Sequence, residues 1–296
     1  MEGVYLPLVT PFYDGAVDLV SLRRLVEHYR HTGIAGLVML GTTGESPTIE
    51  PDEQKSVVAA TLDAVAGELP VYVGVGGNST RHVASALAAY ESMNVAGYLV
   101  VTPYYNRPSA DGLVEHFRAV AGETERTLIA YNVPYRTGVN LSNDALLELA
   151  ATVPNIRAVK DATGNIVQSL DLLERAPQDL AVLTGEDPLY FTSLANGAAG
   201  GILASAHLAT ATFVEVADAI AGERLVKGRT AWRSISPLIP ALFREANPMP
   251  LKYCLWRLGL IRSPECRLPL TRVSEALAAQ LDDLVAGLSS PGATHS

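Results

Sequence analysis

One lysine in this chain stands where an amine could act as a nucleophile. Lys160 follows the largely apolar run 156–159 and precedes the polar stretch 161–165. An amine at the end of a buried strand loses part of its hydration, which lowers the lysine pKa and makes the neutral, nucleophilic form accessible. Most lysines are solvated surface charges, so a catalytic role also requires suitable partner residues.

A run of small and hydroxyl-bearing residues is the first candidate partner. Residues 41–46 read Gly-Thr-Thr-Gly-Glu-Ser and directly follow an apolar run. The backbone N–H groups of this segment, together with the Thr42 and Thr43 hydroxyls, could hold a carboxylate. A plain turn between a strand and a helix uses the same residue types, so both interpretations stay open.

Phenol and guanidinium groups also follow apolar runs. Tyr131 ends one such run, and a tyrosine there can donate and accept a proton. Thr42 and a second tyrosine, Tyr104 or Tyr105, could connect it with solvent as a proton relay. Arg136, on the next loop, could bind a second carboxylate through two parallel hydrogen bonds. Taken singly, the tyrosines could equally be packing groups and the arginine a surface ion-pair partner.

Each of these candidates stands at or just after the end of a short apolar run. Along the chain, such runs alternate with longer stretches of helical periodicity. Runs that are apolar on both faces are typical of buried parallel strands. Eight such units over roughly 220 residues predict an α/β fold, a TIM (β/α)8 barrel, whose loops at the carboxyl ends of the strands build the active site. The predicted strands are residues 4–10, 36–40, 71–75, 98–102, 127–131, 156–160, 181–184 and 201–205.

The alternation stops after Gly222. Helical periodicity without further strands predicts a C-terminal helical appendage. Residues 1–222 are predicted to form the catalytic barrel, residues 223–288 a helical domain with helices over 225–245, 249–258 and 273–288, and residues 289–296 a mobile tail.

Composition excludes several classes of function. The 296-residue chain has a net charge of -9 and no Lys/Arg block, which argues against a nucleic-acid partner. Neither its two cysteines, Cys254 and Cys266, nor its six histidines show metal-ligand spacing, so no metal site is predicted. We find no signal-peptide pattern and no apolar run of membrane length. A cytoplasmic protein with no membrane partner is expected.

Six segments match, in order, the motifs of a known family. They are residues 8–12, 41–46, 101–108, 131–134, 247–252 and 267–270. The chain thereby resembles, over nearly its whole length, the dihydrodipicolinate synthase (4-hydroxy-tetrahydrodipicolinate synthase) family of pyruvate-dependent class I aldolases. The resemblance implies condensation of pyruvate with L-aspartate 4-semialdehyde to 4-hydroxy-tetrahydrodipicolinate, a step of lysine and diaminopimelate biosynthesis.

The resemblance also implies a role for each site residue. Lys160 forms a Schiff base with pyruvate, so no metal or organic cofactor is needed, and Tyr131 is the general acid and base. Tyr105 crosses a dimer interface and completes a Tyr131, Thr42 and Tyr105 relay in the neighbouring subunit, within a homotetramer of two dimers. The implied substrate-binding residues are Thr42 and Thr43 for the pyruvate carboxylate, Arg136 for the carboxylate of the aldehyde, and Gly185 and Ile202 for the pyruvate pocket.

Departures from the family pattern carry their own expectations. Tyr135 stands where serine is usual, which predicts a narrower or differently tuned entrance for the second substrate, and residues 204–207 differ from the commonest pattern. His82, Pro51 and Gln54 replace residues that bind lysine in feedback-inhibited members. Weak or absent inhibition by lysine is therefore expected.

Two alternatives remain open at this point. A related pyruvate-dependent aldolase would cleave a sialic acid or a 2-keto-3-deoxy sugar acid, and a non-catalytic paralogue would only bind ligands. Arg136 and Thr43 favour the synthase over the other aldolases. An intact set of Lys160, Tyr131, Thr42 and Tyr105 argues against a non-catalytic protein.

Overall fold

A computed structural model describes residues 1–289 of the chain. Eight of its strands run parallel and close into a barrel, which confirms the predicted TIM-barrel fold. Across the described residues the strands are β1 (Gly3–Pro7), β2 (Phe12–Tyr13), β3 (Ala16–Val17), β4 (Gly36–Met39), β5 (Val71–Val75), β6 (Gly97–Val101), β7 (Thr127–Asn132), β8 (Ile156–Asp161), β9 (Ala181–Thr184) and β10 (Gly200–Ile202). The closed order is β1-β10-β9-β8-β7-β6-β5-β4, and β2 pairs with β3 in a separate hairpin.

The barrel strands bury both faces, as their apolar sequences require. Successive side chains alternate between the barrel interior and the layer beneath the helices. In β7, Ile129 and Tyr131 join the interior cluster, whereas Leu128 and Ala130 join the outer core. In β8, Ala158 is interior, and the same alternation directs the Lys160 side chain into the barrel.

Helices surround the barrel and continue beyond its last strand. Several begin at residues suited to cap a helix: Ser142 accepts a hydrogen bond from the Ala145 N–H, and Glu50 forms a capping box with Glu53. In the described chain the helices are α1 (Leu19–Tyr29), α2 (Pro51–Val65), α3 (Thr80–Leu87), α4 (Ala110–Ala121), α5 (Pro134–Thr137), α6 (Asn143–Thr152), α7 (Ile166–Arg175), α8 (Tyr190–Ala195), α9 (Thr210–Ala221), α10 (Leu225–Ile235), α11 (Ile239–Leu242), α12 (Met249–Arg257) and α13 (Glu275–Ser289).

Several predicted boundaries were wrong. The strand predicted over 4–10 ends at Pro7, and the hairpin that follows was missed because its strands have two residues each. The helix predicted over 225–245 is interrupted by a 3-10 turn at Ser236–Leu238 and ends at Leu242. Pro237 and Pro240 explain the interruption, because proline removes a helical N–H donor and clashes with the preceding turn.

The C-terminal helices pack against the barrel. The centroid of the Trp232 ring lies 6.0 Å from that of Phe213 and 6.2 Å from that of Tyr190, so α10 packs against α9 and α8. The division into two domains at residue 222 stays a prediction. Ser289 ends α13 rather than beginning a tail, and residues 290–296 of the predicted tail lie outside the described residues. Within residues 1–289, no helix combines the length and apolar character needed to cross a membrane.

Candidate active site

Lys160 and Tyr131 lie side by side inside the barrel, at the carboxyl ends of adjacent strands. They are direct partners in the β7–β8 register, and Lys160 Nζ lies 4.4 Å from the centroid of the Tyr131 ring. The lysine is only 6% exposed and makes no ion pair with any described residue. An amine held in this way lacks both the water and the direct ion-pair partner that would stabilise its protonated form.

Burial therefore dominates the pKa of Lys160 and lowers it to about 8. The negative charge of Asp187 acts in the opposite direction, and the positive charge of Arg136 adds to the lowering. Because the group is partly deprotonated near neutral pH, it can attack a carbonyl carbon. The reactivity predicted from its position at a strand end thus has a physical cause.

Tyr131 has the opposite electrostatic setting. Burial raises the pKa of its hydroxyl, while the side chain of Thr42 and the charge of Arg136 lower it. The phenol therefore keeps its proton at neutral pH and can donate it beside the lysine.

The hydroxyl-rich segment after β4 forms a tight turn facing Lys160. Thr42–Gly44 is a single 3-10 turn, which Glu45 closes in the left-handed conformation at φ 54°. The buried Thr43 accepts a hydrogen bond from Asn247 Nδ2 at 2.9 Å. One side of the turn is thus held by the segment after α11.

A small cavity at Lys160 adjoins a larger cleft of about 470 Å³. Tyr135, Arg136, Gly185 and Asp187 line both spaces, so the two adjoin. Arg136 packs against the exposed Tyr135, with its Nε donating to the Tyr135 hydroxyl at 3.3 Å. No carboxylate of the described chain forms an ion pair with Arg136, which leaves its other donors open to an anion.

The comparisons with known proteins agree on one family. The model of the dihydrodipicolinate synthetase family matches residues 1–287 of the chain. The chain belongs to this family. The family assignment made from the sequence is thereby confirmed.

Named relatives and solved structures of the dihydrodipicolinate synthetase family match this chain over almost its whole length. It is 42% identical over 282 residues to 4-hydroxy-tetrahydrodipicolinate synthase 2 of Clostridium acetobutylicum, covering 95% of this chain and 98% of the relative. The crystal structure of dihydrodipicolinate synthase from Thermotoga maritima superposes with a TM-score of 0.95 at 37% identity, covering 97% and 98% of the two chains. A monomeric dihydrodipicolinate synthase variant also superposes at 0.95, with 36% identity and coverage of 97% and 96%.

The structure brings most of the predicted site residues of this family member together. The lining of the inner cavity includes Lys160, Tyr131, Thr42, Thr43, Arg136, Gly185 and Ile202. Tyr105 lies apart: it is 88% exposed, has φ 72° and lines neither space. Its expected place was in the site of a neighbouring subunit, and that role stays a prediction.

Several lining residues were missed from the sequence. Asp187 is 3% exposed, faces the cavity and accepts a hydrogen bond from the Ser205 N–H at 2.6 Å. Phe243 and Asn247 reach the same cavity from beyond the barrel. Asp187 could have been found, because it lies three residues after β9 on the rim that carries the other candidates. Phe243 is distant in the chain and gave no such signal.

A buried ion pair fastens the turn that carries Thr42 and Thr43. Lys252 Nζ, on α12, lies 2.5 Å from Glu45 Oε1, and the two side chains are 0% and 1% exposed. The other carboxylate oxygen of Glu45 accepts the Arg267 backbone N–H at 3.0 Å. Lys252 also lies 4.1 Å from the centroid of the Phe12 ring. Two points of the C-terminal region thus hold the turn.

The described residues offer no cluster of side chains suited to bind a metal ion. Across residues 1–289, no group of three or more His, Cys, Asp or Glu side chains could hold a metal ion. His116 is buried in α4, and His207 is buried at the end of the 3-10 turn Ser205–His207.

Proposed function

We propose that this chain condenses pyruvate with L-aspartate 4-semialdehyde to 4-hydroxy-tetrahydrodipicolinate through a pyruvate imine on Lys160, without a cofactor. The carrying observation is a buried, unpaired lysine with a pKa of about 8, facing a hydroxyl-rich turn at the base of an arginine-lined cleft. A related aldolase acting on a sialic acid or sugar acid is not favoured by the named relatives. Those relatives equally disfavour a non-catalytic paralogue.

The first half of the reaction uses the inner cavity. The Thr42 and Thr43 turn binds the pyruvate carboxylate, and neutral Lys160 attacks the keto carbon. Tyr131 donates a proton to the departing oxygen, so that water leaves and an imine forms. Loss of a methyl proton then gives the enamine, the carbon nucleophile of the second half.

The second half uses the outer cleft. Arg136 binds the carboxylate of the aldehyde, which holds the aldehyde carbon toward the enamine. After the carbon–carbon bond forms, the amino group of the substrate attacks the imine carbon and displaces Lys160. Each part of the two-part cavity thereby serves one substrate.

The proposal extends to assembly and location. A homotetramer of two dimers would bring Tyr105 of one subunit to the Tyr131 and Thr42 pair of its neighbour, which accounts for a tyrosine that is 88% exposed in the single chain. The cytoplasm is the proposed location, because pyruvate and the aldehyde are intermediates of metabolism there.

Trapping with borohydride tests the imine. Incubation with pyruvate and borohydride should place a reduced pyruvate adduct on Lys160, mapped by mass spectrometry after digestion. Because only the neutral amine attacks, the initial trapping rate should rise about tenfold per pH unit below the lysine pKa and level off above about pH 8. A pyruvate adduct on another lysine, or none, would contradict the mechanism.

The aldehyde is tested separately with the same preparation. We expect turnover with pyruvate and L-aspartate 4-semialdehyde and none with a sialic acid or a 2-keto-3-deoxy sugar acid. The opposite pattern, with the Lys160 adduct intact, would identify a related aldolase instead.

Gly185 should be intolerant of even one added methyl group. A Cβ at this position would lie 2.6 Å from Lys160 Cε and 3.0 Å from Ala162 Cβ. The lysine chain must then shift, and a misplacement of about 1 Å costs on the order of 10²-fold in rate. We expect Gly185→Ala to lower kcat by about that factor, measured under saturating pyruvate.

Gly287→Ala is the matched control, because a Cβ there meets no atom within 4 Å. It should keep full activity. Equal activity of the two variants would show that Lys160 tolerates a methyl group at position 185.

A further inference from the structure

The aldehyde substrate poses a problem that Arg136 does not solve. L-aspartate 4-semialdehyde carries a carboxylate and an ammonium group on the same carbon. The carboxylate matches Arg136, but the ammonium needs an anionic partner nearby. Its nitrogen must also lose a proton before it can attack the imine carbon, because an ammonium has no free electron pair. The site therefore needs a carboxylate beside Arg136 that is free to bind and to accept a proton.

Three carboxylates line the two spaces, and two of them are already engaged. Their acceptors are used within the protein, which fixes their orientation and reduces their capacity for a ligand. Glu245 accepts from the Ser274 hydroxyl at 2.5 Å and Asp187 from the Ser205 N–H at 2.6 Å. Asp161, which is not part of either lining, is engaged as well and accepts from the Ser169 hydroxyl at 2.5 Å.

Glu186 is the third lining carboxylate. Its carboxylate has no hydrogen bond or ion pair with any described residue; only its backbone N–H and carbonyl are used. It lines the outer cleft together with Arg136, and directly follows Gly185, which packs on the Lys160 side chain. It thus shares a cleft with the arginine proposed for the aldehyde and is close enough to feel the charges of both Arg136 and Lys160.

The surroundings of Glu186 suit a proton acceptor. Burial raises the pKa of its carboxyl above the ordinary value, and the charges of Asp187 and Asp161 raise it further. The charges of Lys160 and Arg136 act in the opposite direction. A carboxylate of increased basicity takes a proton from an ammonium more readily than an ordinary one.

We propose that the Glu186 carboxylate binds the ammonium group of the aldehyde substrate and accepts its proton before ring closure. The neutral amine then attacks the carbon of the protonated imine, forming the new C–N bond while the C=N electron pair moves to Lys160 Nζ. A proton passes from the ring nitrogen to Nζ, the C–Nζ bond breaks, and Lys160 leaves as a neutral amine. The ring iminium loses its remaining proton to solvent, as does Glu186.

This inference rests on the proposed function and is tested with Glu186→Gln, which keeps the shape and removes the charge. With pyruvate and L-aspartate 4-semialdehyde, we expect turnover to fall by about 10²-fold, the lower range for a lost general base. Because the carbon–carbon bond still forms, borohydride should now trap an uncyclised pyruvate–aldehyde adduct on Lys160. In the unsubstituted enzyme that adduct cyclises and leaves.

Succinic semialdehyde separates a specific role from a structural one, because it has the same chain without the ammonium group. It cannot cyclise, so its adduct with the enamine stays on Lys160, and Glu186→Gln should form that adduct as fast as the unsubstituted enzyme. Glu123→Gln is the control, because this exposed glutamate makes no side-chain hydrogen bond or ion pair with residues 1–289, and it should behave normally with both aldehydes.

The outcomes are distinguishable. If Glu186→Gln slowed the reaction equally with both aldehydes, Glu186 would have a structural role. If this variant kept full turnover with L-aspartate 4-semialdehyde, Glu186 would have no role in ring closure. Absence of turnover in the unsubstituted enzyme would instead overturn the proposed function itself.

Discussion

Replacing Lys160 with methionine is expected to abolish activity and at the same time to stabilise the fold. Removal of a covalent nucleophile costs on the order of 10³-fold or more in kcat. Burial lowers the pKa of Lys160 to about 8, so below that pH the folded chain carries a protonated amine in an unfavourable place. Against an unfolded value near 10.5, that penalty amounts to about 3 kcal/mol. We expect Lys160→Met to unfold at equal or higher denaturant concentration.

The sign of the pH dependence gives a sharper test. Above pH 8 the folded lysine loses its proton while the unfolded one keeps it, so the penalty is relieved as the pH rises toward about 10. The stability advantage of Lys160→Met should therefore be largest at neutral pH and shrink through this range. Lys55→Met, at an exposed position, should show no such trend. A variant that is less stable than the parent at pH 7 would contradict this account.

Replacing Lys252 with methionine should have the opposite effect on stability. This lysine is even more deeply buried than Lys160, but Glu45 lies 2.5 Å away. Removing one member of a buried pair leaves the other charge without compensation and typically costs 3–5 kcal/mol, about that range being expected here. Chemical unfolding at equal protein concentration measures the loss, since any assembly would make stability depend on concentration.

The double variant Lys252→Met with Glu45→Gln controls for lost packing. Removing both charges should restore part of the stability, because no uncompensated ion remains. Where the single variant still folds, KM for pyruvate should rise, because the Thr42–Gly44 turn has lost its support. If Lys252→Met alone had the same unfolding free energy as the parent, the ion pair would contribute nothing to stability.

The barrel could be predicted because its rule is local. Each parallel strand is buried on both faces, so short apolar runs indicate strands without knowledge of their neighbours. Lys160 and Tyr131 were found the same way, since strand ends share one rim. The local rule failed where elements were too short to show a period, as in the hairpin Phe12–Tyr13 with Ala16–Val17.

The rest of the site depends on contacts distant in sequence. Asn247 reaches Thr43 across 204 positions, and nothing in either segment indicates the partner. Lys252 is flanked by apolar neighbours, which could have indicated burial, but the identity of its counter-charge is a property of the folded chain. Glu186 carried a usable signal in the sequence, because it lies two residues after the four-residue strand Ala181–Thr184, on the rim that holds the other candidates.

The fastening of the carboxylate-binding turn also sets the order in which the protein becomes competent during synthesis. Glu45 emerges from the ribosome 207 residues before Lys252 and 222 before Arg267. At roughly 5–20 residues per second, this interval lasts on the order of 10–40 s. All barrel strands have been made by residue 202, so a nascent chain holds its nucleophile long before its anion site is secured. We therefore expect a nascent chain to bind pyruvate weakly until Lys252 and Arg267 have been added.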